Sequence, residues 1–142
     1  MYSFIFITHG GLGSILTDIA QRIMDENISG RTKIFSIDFS MADVMDELKE
    51  KIKTSVDEFL VKKQKVIIFV DIFGGSPSNI AFSFAKTENV DVVSGVNLSM
   101  VMYAVEHMNS GKDFPAMIES ITRTGAQNIT SAKKLLMKRE SL

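Results

Sequence analysis

Two short segments of the chain hold residue types that could do chemistry. One is Thr8-His9-Gly10-Gly11-Leu12-Gly13; the other is Asp71-Ile72-Phe73-Gly74-Gly75-Ser76-Pro77-Ser78-Asn79. A carboxylate that accepts a proton from one imidazole nitrogen fixes the tautomer and leaves the other nitrogen free to attack an electrophile. Gly74 and Gly75 let the backbone approach a ligand closely. Ser76-Pro77 reads as a helix start, with serine as the cap and proline in the first turn. Such a start offers unpaired N–H groups and a positive dipole end, which suit a phosphate. Gly10 and Gly11 leave the His9 ring open to a large partner. Nucleophilic histidine, orienting carboxylate and anion cradle together point to phosphoryl transfer through phosphohistidine. The plainer roles are a strand-end turn for Asp71 and a cap for Ser76.

These loops need elements to hold them. Residues 2–8 are aromatic and β-branched and read as a strand. Leu12, Ile15, Leu16, Ile19, Ala20, Ile23 and Met24 then recur at helical spacing. Residues 33–39 form a second strand. A helix over 43–62 follows, with Val44, Leu48, Ile52, Val56, Phe59 and Leu60 on one face. Residues 65–70 are almost wholly apolar, as expected of a strand covered on both faces. Residues 90–94 give a fourth strand. Helices are expected over 98–108 and 113–124, the second capped by Asp113 and stopped by Gly125. The tail from 127 to 136 fits either helix or strand.

Strand–helix alternation implies an α/β fold: an open, mainly parallel four-stranded sheet with helices on both faces. In such sheets ligands bind beyond the carboxyl ends of the strands where the order reverses. With the order 2-1-3-4, the loops after strands one and three are neighbours there, which brings His9 to Asp71.

The chain has 142 residues, the length of one domain. Sixteen basic and seventeen acidic residues give a net charge of −1. That balance disfavours a nucleic-acid partner. There is no cysteine and there are only two histidines, so disulfides, thiol catalysis and a multi-histidine metal site are not expected. No cofactor is called for. Apolar runs reach about seven residues, against roughly 20 for a bilayer span. With no basic leader, a cytoplasmic protein is expected.

Two other functions compete. Gly11-Leu12-Gly13-Ser14-Ile15-Leu16 approaches a dinucleotide-binding fingerprint, with Asp38 as the ribose acid, but Leu16 replaces the third glycine. Ser76, His9 and Asp71 could form a hydrolase triad. However, Ser78 stands where the nucleophile elbow needs glycine, and Pro77 removes an oxyanion-hole N–H.

Thr8-His9-Gly10-Gly11-Leu12, the Val70 to Asn79 stretch and Ser94-Gly95-Val96-Asn97-Leu98-Ser99-Met100 resemble the enzyme IIA component of the mannose/fructose/sorbose family. That family belongs to the bacterial phosphoenolpyruvate-dependent sugar phosphotransferase system, and the resemblance spans essentially the whole chain. It implies a phosphocarrier of sugar uptake. His9 would accept a phosphoryl group from the phosphorylated histidine carrier protein and pass it to a IIB component, which serves a IIC/IID membrane complex. Asp71 would orient His9, and Gly74, Gly75 and Ser76 would bind the phosphoryl group. Thr8, Gly10 and Asn97 would line the rim. The resemblance also implies a homodimer in which residues from about 127 onward exchange as a fifth, antiparallel strand. Similar proteins often have a Pro-Gly pair after strand two, proline at position 99 and a bulky apolar residue at position 78. Here stand Phe39-Ser40-Met41-Ala42-Asp43, Ser99 and Ser78, differences that touch the rim rather than the chemistry. A related branch, the phosphocarrier subunit of dihydroxyacetone kinase, usually lacks the glycine–serine–proline loop.

Overall fold

A computed structural model describes residues 1–24, 34–40 and 44–140 of the chain, with side chains to residue 137. Four parallel strands form one sheet: β1 (Tyr2–His9), β2 (Ile34–Phe39), β3 (Lys65–Val70) and β4 (Val90–Ser94), in the order β2-β1-β3-β4. Phe6 of β1 stands beside Ser36 and Phe69, and His9 lies opposite Phe39. The expected strand order and fold class therefore hold. Residues 33 and 43, the expected first residues of the second strand and second helix, lie outside the described residues.

Two apolar layers explain why this sequence takes this sheet. Alternation along β1 sends Phe4 and Phe6 to one face and Ile5 and Ile7 to the other, and all four are buried. Burying each such side chain contributes about 2 kcal/mol before entropy is counted. Over the first face pack α1 (Leu12–Met24), α4 (Leu98–Glu106) and α5 (Phe114–Gln127). Over the second lie α2 (Met45–Val61) and α3 (Ser76–Ser83). In α2, Leu48, Ile52, Val56 and Phe59 keep their helical spacing and are buried.

Several boundaries differ from expectation, each for a physical reason. Gly125 does not stop α5. It lies buried inside the helix, where a Cβ would come within 2.5 Å of Met100 Cγ. The glycine permits a close helix–helix approach, and that packing outweighs its low helix propensity. Asp113 sits at the cap position of α5, but its side chain makes no capping bond. In α3 the cap is Gly75, and Ser76 is the first helical residue. In α1 the sheet covers Gly13, Thr17 and Ala20, whereas Leu12, Ile15, Ile19 and Ile23 are exposed. The ambiguous tail resolves as a helix, α6 (Ala132–Glu140). The fifth antiparallel strand implied by the resemblance is therefore not formed by this single chain. Ile129, Leu135, Leu136 and Met137 are exposed on the tail.

Candidate functional site

The switch point is the gap between the carboxyl ends of β1 and β3. His9 is the last residue of β1 and Asp71 the first after β3. The alternation that buries Thr8 on the α1 face turns His9 to the α2 and α3 face, beside Phe39. Gly10 and Gly11, at φ values of 57° and 75°, then reverse the chain into α1 through the left-handed region.

Asp71 meets His9 at two points. Its Oδ2 accepts the His9 backbone N–H at 2.8 Å. The same oxygen lies 3.0 Å from His9 Nδ1, and Oδ1 lies 3.2 Å from it. Oδ1 also accepts the Ile72 backbone N–H at 2.8 Å. The Asp71 side chain is 11% exposed and that of His9 44%. Partial burial pushes the Asp71 carboxyl upward. The His9 backbone N–H, its ring and charge, and the Ile72 N–H outweigh that and hold it below the ordinary carboxylate value. An ionised carboxylate only accepts, so Nδ1 carries the proton of the neutral ring. Nε2 then has a free lone pair and no hydrogen bond to a described residue. The edge of the ring contact with Phe39 is nearly perpendicular, at 88° and 5.3 Å between centroids, which restrains it from a second side.

Five residues after Asp71 comes the start of α3. Gly74 donates its N–H to Ser78 Oγ at 3.0 Å, so that donor is already engaged. Among the described residues, the backbone N–H groups of Gly75, Ser76 and Ser78 have no acceptor, and Pro77 has no N–H. Ser76 is exposed and its hydroxyl bonds no described residue. Of the three residues expected to bind a phosphoryl group, Gly75 and Ser76 have N–H groups without an acceptor among the described residues, and Gly74 does not.

Thr8 and Asn97, expected at the rim, each make hydrogen bonds within the fold. Thr8 is buried, and its Oγ1 accepts the Gly13 N–H at 2.7 Å. Asn97 caps α4: its Oδ1 accepts the Met100 N–H at 3.2 Å, and its Nδ2 donates to Gly125 O at 3.4 Å. Gly10 is open, with nothing within 4 Å of where a Cβ would stand.

Sequence reasoning missed two residues. Gly13 was legible only as part of a glycine fingerprint, yet a Cβ there would lie 2.5 Å from Phe6 Cβ. It lets α1 cross β1 closely and needs no nucleotide to explain it. In the sequence Ser78 marks a departure from similar proteins and from the nucleophile-elbow pattern, and no sequence signal marks its two bonds within the loop. The hydrolase arrangement also lacks its central contact, since Ser76 makes no hydrogen bond to His9. His107 caps the C-terminus of α4, its ring stacked on Tyr103 at 4.0 Å.

Among the described residues, no three or more His, Cys, Asp or Glu side chains group as a metal site. Nor is any helix among them long and apolar enough to cross a membrane.

A family model, EIIA-man, described as the PTS system fructose IIA component, matches residues 3–122. The chain is 29% identical over 103 residues to the PTS system fructose-specific EIIA component of Bacillus subtilis (strain 168), covering 72% of this chain and 67% of that one. The crystal structure of the PTS IIA protein associated with the fucose utilization operon from Streptococcus pneumoniae matches with a TM-score of 0.78 at 25% identity, over 96% of this chain and 99% of that one. Phosphotransferase system component EIIA from Streptococcus agalactiae matches with a TM-score of 0.80 over 94% and 99%; at 18% identity this likeness concerns the fold. Matched across both the His9 and Asp71 loops, the chain belongs to the EIIA-man family, the IIA components of the sugar phosphotransferase system.

Proposed function

We propose that this chain is a phosphocarrier in which His9 Nε2 accepts a phosphoryl group from the phosphorylated histidine carrier protein and yields it to a histidine of a IIB component. The observation that carries the reading is the contact of His9 Nδ1 with Asp71 at the switch point, which leaves Nε2 without a bond to any described residue on a half-exposed side chain. The Nε2 lone pair forms the new N–P bond as the donor's N–P bond breaks, and the donor imidazole leaves. The Nδ1 proton stays in place, held by Asp71. Positive charge that grows on the ring during attack is offset by the carboxylate, a fixed charge that needs no reorganisation at that moment.

The N–H groups of Gly75 and Ser76 supply donors for the phosphoryl oxygens. The carrier works as a homodimer, consistent with the exposed apolar residues of the tail. Its IIB partner in turn serves a IIC/IID membrane complex.

The test is phosphorylation with enzyme I, the histidine carrier protein and phosphoenolpyruvate. The protein should gain one phosphoryl group, acid-labile and base-stable, on His9. An acid-stable product, or full labelling of His9→Ala, would refute the assignment.

A further inference from the structure

The loop between β3 and α3 is short, glycine-rich and largely exposed, a composition that by itself would leave it mobile. One side chain prevents this. Ser78 is the third residue of α3 and only 1% exposed. A buried hydroxyl is costly unless it is bonded, and this one closes two bonds within four residues. Its Oγ accepts the Gly74 N–H at 3.0 Å and donates to Gly75 O at 2.9 Å.

The consequences follow from counting donors and acceptors. Gly74 turns the chain at a φ of 88°, and its N–H points back toward the helix rather than outward. Gly75 O receives both the Ser78 hydroxyl and the Asn79 N–H at 3.0 Å. Both carbonyl lone pairs are then engaged, so the negative end of that dipole is satisfied before any anion arrives. Among the described residues, the N–H groups left without an acceptor on the accessible part of the head of α3 are those of Gly75, which is half-buried, and Ser76, which is exposed.

We propose that Ser78 is a positioning residue for phosphoryl transfer, holding the Gly74-Gly75 loop so that its free N–H groups already face the phosphoryl oxygens. The proposal rests on the phosphocarrier reading of His9. Donors fixed in advance cost no rearrangement when charge develops on the transferring group. Without the Ser78 hydroxyl, Gly74 loses its acceptor and the loop must be ordered by the phosphoryl group itself.

The experiment compares wild type, Ser78→Ala and Ser78→Thr in phosphorylation by the phosphorylated carrier protein, with thermal melting alongside. Ser78→Ala should lower kcat by roughly tenfold, less than the hundredfold or more expected when a direct oxyanion donor is lost. KM for the carrier should stay within about twofold, because uniform binding is not what the loop supplies. Ser78→Thr keeps the hydroxyl and should recover most of the rate. In the wild type, the Gly74 amide should exchange slowly with deuterium, and the Gly75 and Ser76 amide resonances should move when His9 is phosphorylated. A lower melting temperature with an unchanged kcat would mean that Ser78 acts in folding alone, and the proposal falls. Should Ser78→Ala fail to fold, the wild-type amides decide: a freely exchanging Gly74 amide overturns the proposal. Failure of the wild type to take up phosphate overturns the phosphocarrier reading, and this proposal with it.

Discussion

Asp71 holds His9 by both backbone and ring: one oxygen, Oδ2, accepts the His9 N–H at 2.8 Å and stands 3.0 Å from Nδ1. The two contacts define the ring relative to its own strand, so the direction of Nε2 is set by β1 rather than by a free side-chain rotor. A third bond, from the Ile72 N–H at 2.8 Å, fixes the carboxylate from the β3 side. His9 and Asp71 are therefore one unit spanning two strands.

Removing the carboxylate should disable that unit without unfolding the chain. In Asp71→Ala, transfer to His9 should fall by roughly tenfold or more. Loss of the orienting aspartate in a related histidine pair, in a different reaction, costs about four orders of magnitude. Affinity for the carrier protein should change far less. Stopped-flow transfer with parallel calorimetric binding separates the two, and unchanged transfer would reduce Asp71 to a turn residue.

The depressed carboxyl of Asp71 also predicts how stability varies with acid. Its folded-state value lies below the ordinary 3.8. The stabilisation it brings is complete above the unfolded value and is lost as pH falls through the folded one. Wild type should thus exceed Asp71→Asn in urea midpoint at neutral pH, and the gap should narrow as pH drops below about 3.8. A gap that widens in acid would contradict the hydrogen-bond pattern.

Gly13→Ala tests the close crossing of α1 over β1. The added methyl would stand 2.5 Å from Phe6 Cβ, an atom next to the backbone that cannot swing aside. Overpacking of this kind costs about 1–3 kcal/mol. Chemical denaturation should show the loss, and transfer should slow too because the Thr8 bond to the Gly13 N–H anchors the turn after His9. An alanine variant as stable as wild type would mean that α1 can lift off the sheet at little cost.

The tail makes a prediction about assembly. Ile129, Leu135, Leu136 and Met137 are exposed in the single chain. Light scattering should find a homodimer, and a chain ending before residue 127 should be monomeric or insoluble. A native protein that stays monomeric at high concentration would exclude that role for the tail.

Periodicity in the sequence sufficed for the order of elements, because helix and strand patterns are written in residues a few positions apart. The bounds of β3 and β4 and the burial of Leu48, Ile52, Val56 and Phe59 were legible this way. So was the pairing of His9 with Asp71, given the order 2-1-3-4 common in such sheets, which puts residues 62 apart at one switch point. What neighbours decide was not legible. Gly125 carries the local mark of a helix stop, yet Met100 on another helix makes it a contact point inside α5. The apolar face of α1 is wider than the surface the sheet covers, so Ile15, Ile19 and Ile23 stay outside. Ser78 looks like any serine in a helix start until its hydroxyl is seen to span Gly74 and Gly75. Local propensity is summed over adjacent residues, whereas burial, close approach and side-chain hydrogen bonds depend on surfaces that meet only when the chain has folded.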